Sequence, residues 1–534
     1  MSTRPTRSLV RTVLFAGAPT LLLLGLVEGV LRLAGLGIDR IDLSRGFGGD
    51  ARYLVEQPDG SYRTTMFLLP SEEQTIPPRS DAVRVLLFGG SNTEGFPFDY
   101  LDARLDEAGA PLGREVEVIN LGRRGYGSAR VRALFEQALE LEPDLCVVYS
   151  GHNEFVEASF ALEVEQATAR TGGGLVAAVD GVVGGLRSYR WLQSTFAAQN
   201  EVPPRRPQEW AFEHERFART PWPETLERFE DYRENLVAIA DSARAAGVPL
   251  VLCTIQGNDF AAPFVSTPPV DLDPKARAEL DSALARAREA QPDWVDLFVP
   301  PTPADRLHFE DWLKDDGPTL APEEEPLAVR YGEPFTPVMR WWPLPEEWSP
   351  RVEPILERQY QLRTGALDAT ERAGFTTSLE ALEEALAIAP DHPDALFRTG
   401  LAELALSNPD DASKRAQAAA TIRRAGALDR APRKGSDHSN AIVREVAAAD
   451  ASVSLLDVEA RMRARCPDGL MGFEMMRDEC HFHIAPRYVV IVDMAEHLAP
   501  MLFDGVTPEQ RVQIGQAWER AFAELLGKAR PGGQ

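Results

Sequence analysis

Three residues of this chain have the types and neighbours that nucleophilic catalysis requires. Ser91 lies in Phe88-Gly89-Gly90-Ser91-Asn92-Thr93-Glu94-Gly95, behind the short apolar run 83–88. The run reads as a buried parallel strand, and two glycines allow a tight turn after it. A serine at that point has an exposed hydroxyl and a backbone N–H near a helix N-terminus. Such a group suits a nucleophile whose neighbour must hold an oxyanion. The ordinary alternative for the same residue is a helix N-cap. Far away in the chain, Asp478 and His481 stand three apart in Arg477-Asp478-Glu479-Cys480-His481-Phe482-His483. That spacing lets a carboxylate reach the inner imidazole nitrogen, fix its tautomer and stabilise its cation.

Other readings of these residues compete. Cys480, His481 and His483 offer metal ligands, but zinc sites usually draw on well-separated pairs, and the sequence holds no second cluster. His483 is a rival base. His497 with Asp493 reads as a pair on an exposed helix face. The serine stretch is not the Gly-x-Ser-x-Gly elbow, because Thr93 takes the last position, nor a phosphate loop, because no Lys-Ser/Thr follows.

The elements that must position these residues follow a strand–helix alternation. Strands are expected at 83–88, 115–119, 145–149, 250–255 and 453–456, and helices at 100–108, 131–140, 224–246, 440–449 and 488–499. The first three strands end in polar, glycine-containing loops: the serine stretch, Asn120-Leu121-Gly122-Arg123-Arg124-Gly125-Tyr126-Gly127-Ser128, and Ser150-Gly151-His152-Asn153-Glu154. Gln256-Gly257-Asn258-Asp259 ends the fourth. In open α/β sheets the strand ends face one crevice, where ligands bind.

The rest of the chain divides by composition. Arg4, Arg7 and Arg11 precede an uncharged run, 12–27, and apolar residues continue past Glu28 and Arg32 to Leu36. No convincing cleavage site closes the run, so it reads as an uncleaved signal anchor over 12–36, with 1–11 cytoplasmic and the remainder extracytoplasmic, periplasmic if bacterial. Residues 37–80 form a juxtamembrane segment. A possible amphipathic helix at 175–192 is read as core-facing. Residues 261–377, rich in proline, tryptophan and acids, read as an insertion with one helix, 274–290. Residues 378–431 carry helices at 378–389, 395–406 and 412–428, with small residues at contacts, like tetratricopeptide helix pairs; fewer than two repeats are present, and a plain helical hairpin fits nearly as well. The second part of the α/β domain is 432–534 and the first is 81–260.

The net charge of −26 argues against a nucleic-acid partner, which wants a basic patch. Four cysteines make no disulfide framework. Cys146 and Cys253 lie in apolar runs and read as buried thiols, while Cys466 and Cys480 lie in polar sequence and are the pair open to bridging in an oxidising compartment.

Gly89-Gly90-Ser91-Asn92-Thr93, Asn120-x-Gly-x-x-Gly125, Gly151-His152-Asn153 and Asp478-x-x-His481 resemble, in order, the four blocks of the SGNH (GDSL-like) hydrolases. The resemblance covers 81–260 and 451–499 and extends to membrane-anchored bacterial members with repeat-like helices. It implies a three-layer, flavodoxin-like α/β domain with five mainly parallel strands. It implies Ser91 as nucleophile, His481 as base and Asp478 as its orienter, with an oxyanion hole from the Ser91 N–H, the Gly125 N–H and the Asn153 amide. Gly90 replaces the aspartate of the family name, and Phe482 and Pro486 depart from the pattern after the histidine. The expected activity is hydrolysis of an acyl ester, of a glycan or a lipid, without a cofactor or metal. Acyl transfer to a cell-envelope glycan uses the same intermediate. A catalytically idle, membrane-tethered protein that binds a protein partner through its helices is the reading from a different class.

Overall fold

The computed structural model describes residues 25, 27–30, 53–64, 74–157, 222–265, 272–299, 349–507 and 509–510. The anchor expected over 12–36, apart from five of its residues, and the helix at 175–192 lie outside them. No helix among the described residues is long and apolar enough to cross a membrane. The chain divides into two compact units. In the first (Met1–Gln57, Arg63–Thr75, Ala158–Arg206), strand Leu54–Glu56 lies within the segment read as juxtamembrane. The second (Pro58–Tyr62, Ile76–Glu157, Pro207–Gln534) holds everything described below.

Its centre is a five-stranded parallel sheet: β1 Val83–Gly89, β2 Val116–Asn120, β3 Leu145–Tyr149, β4 Leu250–Cys253 and β5 Val453–Leu456. The spatial order is β2-β1-β3-β4-β5, the flavodoxin-like order whose crossover point lies beside β1. Val85 of β1 pairs with Val118 on one side and Leu145 on the other. Every residue of β1 and β3 is buried, as expected for strands covered on both faces. Arg84 is the exception in kind. Its guanidinium is buried, but it donates to Glu117 at 2.8 Å and to the carbonyls of Leu141, Pro77 and Pro78, so the charge is fully engaged.

Helices cover both faces. After β1 comes the single turn α1 Ser91–Glu94, then α2 Phe98–Gly109; α3 Ser128–Ala138 follows β2 and α4 Trp222–Ala246 precedes β4. On one face, Leu101 and Leu105 of α2 share a core with Val85, Val147 and Val251 of the sheet and with Val490 and Met494 of the last helix. Helix α3 packs on α4 in the other layer.

Between β4 and β5 the chain builds a helical body. It comprises α5 Pro274–Ala290, α6 Ser349–Thr364, α7 Ala369–Ile388, α8 Pro393–Leu406 and α9 Ala412–Ala427. Asp273 caps α5 by accepting from the N–H groups of Lys275 and Ala276, with Pro274 in the first turn. The boundary read between an insertion and a helical segment at 377/378 falls inside α7. That helix starts at Ala369 because Asp368 and Glu371 form a capping box there. The two segments pack together: Leu280, Leu284 and Ala287 of α5 lie against Leu382 and Ala385 of α7. Helices α8 and α9 approach so closely at Gly400 that a Cβ there would meet the Ile422 backbone nitrogen at 2.9 Å. The chain then returns through α10 Asp437–Ala449, β5, α11 Val458–Arg463 and α12 Ile484–Leu502.

Candidate active site

Ser91 opens α1 directly after Gly89-Gly90 at the C-terminal end of β1. The turn is tight for a steric reason. A side chain at Gly89 would overlap the Thr93 hydroxyl and the Tyr149 carbonyl, which are bonded to each other at 3.0 Å. A side chain at Gly122 would meet the Glu94 nitrogen at 2.5 Å. The β2 loop is tied to the same turn, because Asn120 Nδ2 donates to Thr93 O at 2.7 Å and Arg123 N–H donates to Gly89 O at 3.0 Å. As the first residue of a helix, Ser91 keeps its N–H outside the intrahelical ladder.

His481 and Asp478 arrive from the other end of the chain, just before α12. The Ser91 Oγ lies 2.7 Å from His481 Nε2, and His481 Nδ1 lies 2.7 Å from Asp478 Oδ2. The Asp478 Oδ1 also accepts the backbone N–H groups of His481 at 2.6 Å and Cys480 at 2.9 Å. Burial alone would raise the Asp478 carboxyl. The attraction of His481 and the bonds that His481 donates outweigh it and hold the group well below the usual carboxylate range. For His481 the balance runs the other way. Burial lowers the imidazole, Asp478 raises it, and the net is a value above the ordinary one. A serine hydroxyl, an imidazole and an ionised carboxylate thus form one hydrogen-bonded line.

Of the loops expected to supply oxyanion donors, two meet at Gly90, the residue before Ser91, where Asn153 Nδ2 and Tyr126 O both come close. Asn153 stands after β3, and its Nδ2 donates to Tyr126 O at 3.0 Å. The same Nδ2 packs so tightly on Gly90 that a Cβ there would overlap it. Gly125 precedes Tyr126 with φ of 71°, a conformation that favours glycine and turns this loop back towards Asn153. A larger residue at Gly90 would have to displace the Asn153 amide from this position. Glu154 completes the loop by accepting from the Ser128 N–H at 3.0 Å, which caps α3.

The rival readings separate on geometry. His483 is buried and its Nε2 bonds to Phe473 O at 2.9 Å; burial pushes it down to about 3. It is a neutral structural histidine that opens α12. Asp493 is not on an exposed face with His497. It is buried and bonded to Arg465 at 2.8 and 3.0 Å, while His497 bonds to Ser454 Oγ at 2.8 Å. Sequence spacing missed this because Arg465 comes from the segment after α11. All four cysteines are free and buried. The pairing considered for Cys466 and Cys480 is not formed: Cys466 Sγ is directed at Met462 O and Cys480 Sγ at the His481 ring.

Among the described residues, one group of metal-ligating side chains converges, Asp478, Cys480 and His481, with ligand atoms within 4.8 Å of one another. The sulfur lies 3.4 Å from Nδ1 and 4.0 Å from Nε2. Distances so nearly equal put it beside the ring rather than along either in-plane lone pair, where a cation would sit. Both ring nitrogens are already engaged, by Ser91 and Asp478.

Sequence reasoning marked Gln256-Gly257-Asn258-Asp259 only as a strand-end loop. In the structure Gln256 and Asn258 reach the segment that carries Asp478 and His481. The signal available was their place at the C-terminal end of β4, on the rim where the other loops converge.

Residues 87–325 match the family described as GDSL-like Lipase/Acylhydrolase family. The matched stretch contains Ser91, Gly125 and Asn153, and the fold brings Asp478 and His481 to it from outside. The match supports an ester-hydrolysing activity of the SGNH type for this domain. No curated protein and no solved structure matches the chain.

Proposed function

We propose that this GDSL-like hydrolase cleaves an acyl ester through a covalent intermediate on Ser91. The line Ser91–His481–Asp478, with both side-chain contacts at 2.7 Å, carries the reading. His481 Nε2 takes the Ser91 proton as Oγ attacks the acyl carbon. The resulting oxyanion is held by the N–H groups of Ser91 and Gly125 and by the Asn153 amide, which turns from Tyr126 O towards it. The imidazolium, stabilised by Asp478, gives its proton to the departing alkoxide and leaves an acyl-serine. Water then repeats the sequence in reverse and releases the acid.

The substrate we propose is an acyl ester of a glycan or lipid at the cell envelope, with the protein held to the membrane by 12–36 and the hydrolase outside the cytoplasm. The flanking Arg4, Arg7 and Arg11 support that orientation. A reporter fused at Pro78 is expected to be active only outside the cytoplasm, and cytoplasmic activity overturns the placement. The chemistry is tested with a fluorophosphonate probe and a panel of acyl esters, with and without an added alcohol. Labelling of Ser91 with release of free acid supports hydrolysis. Conversion mainly to a new ester makes the protein an acyltransferase. No labelling of folded protein overturns the reading in favour of an idle scaffold that acts through its helical body.

A further inference from the structure

The turn that carries the base makes its acid–imidazole pair by itself. Asp478 Oδ1 accepts the N–H groups of Cys480 and His481, and Oδ2 meets Nδ1, all within four residues. Nothing in that set of bonds fixes where the imidazole lies relative to Ser91, so other residues must. Three consecutive carbonyls of the turn are held from outside. Asp478 O accepts from Asn258 Nδ2 at 3.0 Å, and Glu479 O accepts the Asn258 N–H at 2.9 Å. Cys480 O accepts two amides, Gln256 Nε2 at 2.6 Å and Asn92 Nδ2 at 3.0 Å, which uses both of its lone pairs.

The three amides are built for this. Gln256 and Asn258 are fully buried, and Asn92 is 2% exposed. Gln256 Oε1 has no hydrogen-bond partner among the described residues. Turning the amide over would set that oxygen against Cys480 O, so donation to Cys480 fixes its orientation. The backbone of the clamp is itself secured. Gln256 O accepts from the Gly435 N–H at 2.8 Å and from His152 Nε2 at 3.2 Å, and Asn258 O accepts from Lys434 Nζ at 2.7 Å. Asn92 is the residue after Ser91, so its bond to Cys480 O joins the nucleophile's turn directly to the base's turn.

We infer that Asn92, Gln256 and Asn258 are positioning residues that set the approach of His481 to Ser91. The charged groups of its own turn, Asp478 first and then Glu479 and Arg477, together with buried His152 beside it, set the state of the imidazole. This division rests on the reading of Ser91 and His481 as nucleophile and base. It predicts a signature that general loosening of the fold does not produce. In the full-length protein, Asn92→Ala and Gln256→Met are expected to lower kcat and the rate of fluorophosphonate labelling about 10- to 100-fold, the usual loss for a catalytic group displaced by about an ångström. KM is expected to stay unchanged. The acid limb of kcat/KM, and the ring titration of His481 followed by NMR, are expected to stay where they are in the unsubstituted protein. Asp478→Asn, by contrast, moves both to lower pH. Should either clamp variant fail to fold, the other and Asn258→Ala carry the test. Wild-type kcat in the folded variants, or a His481 titration that falls as in Asp478→Asn, overturns the inference. An unsubstituted protein that reacts with no ester and no probe overturns the reading of Ser91 itself, a separate result.

Discussion

The Ser91 hydroxyl and the His481 Nε2 are 390 residues apart in the chain and 2.7 Å apart in space. The parallel sheet makes that contact, because every strand end on its C-terminal edge opens into the same crevice. Strand β1 delivers the serine there, and the chain that follows β5 delivers the imidazole. The chemistry then depends on two kinds of bond, those within the Asp478 turn and those that hold the turn in place.

Removing either end of that contact should silence the site. Ser91→Ala is expected to abolish covalent labelling and to reduce turnover to near background. His481→Ala is expected to do nearly the same, and the double variant to be no worse, because the members act as a unit. Steady-state turnover with a reactive ester, alongside gel-based labelling, checks both.

The raised His481 value fixes a direction for pH dependence. The imidazole must be neutral to take the serine proton, so activity rises with pH through the His481 titration. Asp478→Asn removes the charge that raises it. The acid limb of kcat/KM is then expected at lower pH, with a much lower plateau because the tautomer is no longer fixed. A limb that moves to higher pH contradicts the assignment.

Asn153→Ala is expected to cost about a hundred- to a thousandfold in kcat, the loss typical of one oxyanion donor. Gly90→Ala should lower kcat in the same direction without removing any polar group, since its methyl displaces the Asn153 amide. Equal activity of Gly90→Ala and the unsubstituted protein contradicts the tight packing at that position.

His152 and His483 are both pushed down to about 3 by burial. In the unfolded chain a histidine binds its proton at about 6.5. The unfolded state therefore takes up protons first, and these two groups make stability fall as pH drops from about 6.5 to about 3. His483→Ala is expected to flatten that slope in urea unfolding measured at neutral and mildly acidic pH. It also costs about 1–3 kcal/mol at neutral pH, because the bond from His483 Nε2 to Phe473 O is lost, while the folded variant keeps its chemistry.

Much of this arrangement is legible in the chain. The apolar runs of β1 and β3 announce buried strands, and Ser91, Asn153 and the Asp478–His481 spacing each stand beside a strand-end or loop signal. The helical body was harder to read. Helix α6 has only a weak apolar stripe, and its Gln359 and Arg363 are buried against Glu474, a polar contact with no local pattern. The same holds for Asp493 with Arg465, and for Gln256 and Asn258 with the base's turn. Such bonds join residues distant in sequence, and periodicity records only which face of an element is apolar, not which buried amide meets which carbonyl.

The placement of the helical body between β4 and β5 has a consequence for how the enzyme comes into being. Leu250 of β4 pairs with Val453 of β5, and the residues between them form the helices. During synthesis the strand bearing Ser91 emerges first and the imidazole last. At about 5–20 residues per second, the 390 residues that separate them occupy the ribosome for roughly 20–80 s. Throughout that interval the chain carries its serine without a base and its sheet without an edge strand. On the proposed roles of Ser91 and His481, reactivity arrives as a late event of assembly, after the helices have left the exit tunnel, and a chain cut short before His481 is expected to turn over no ester.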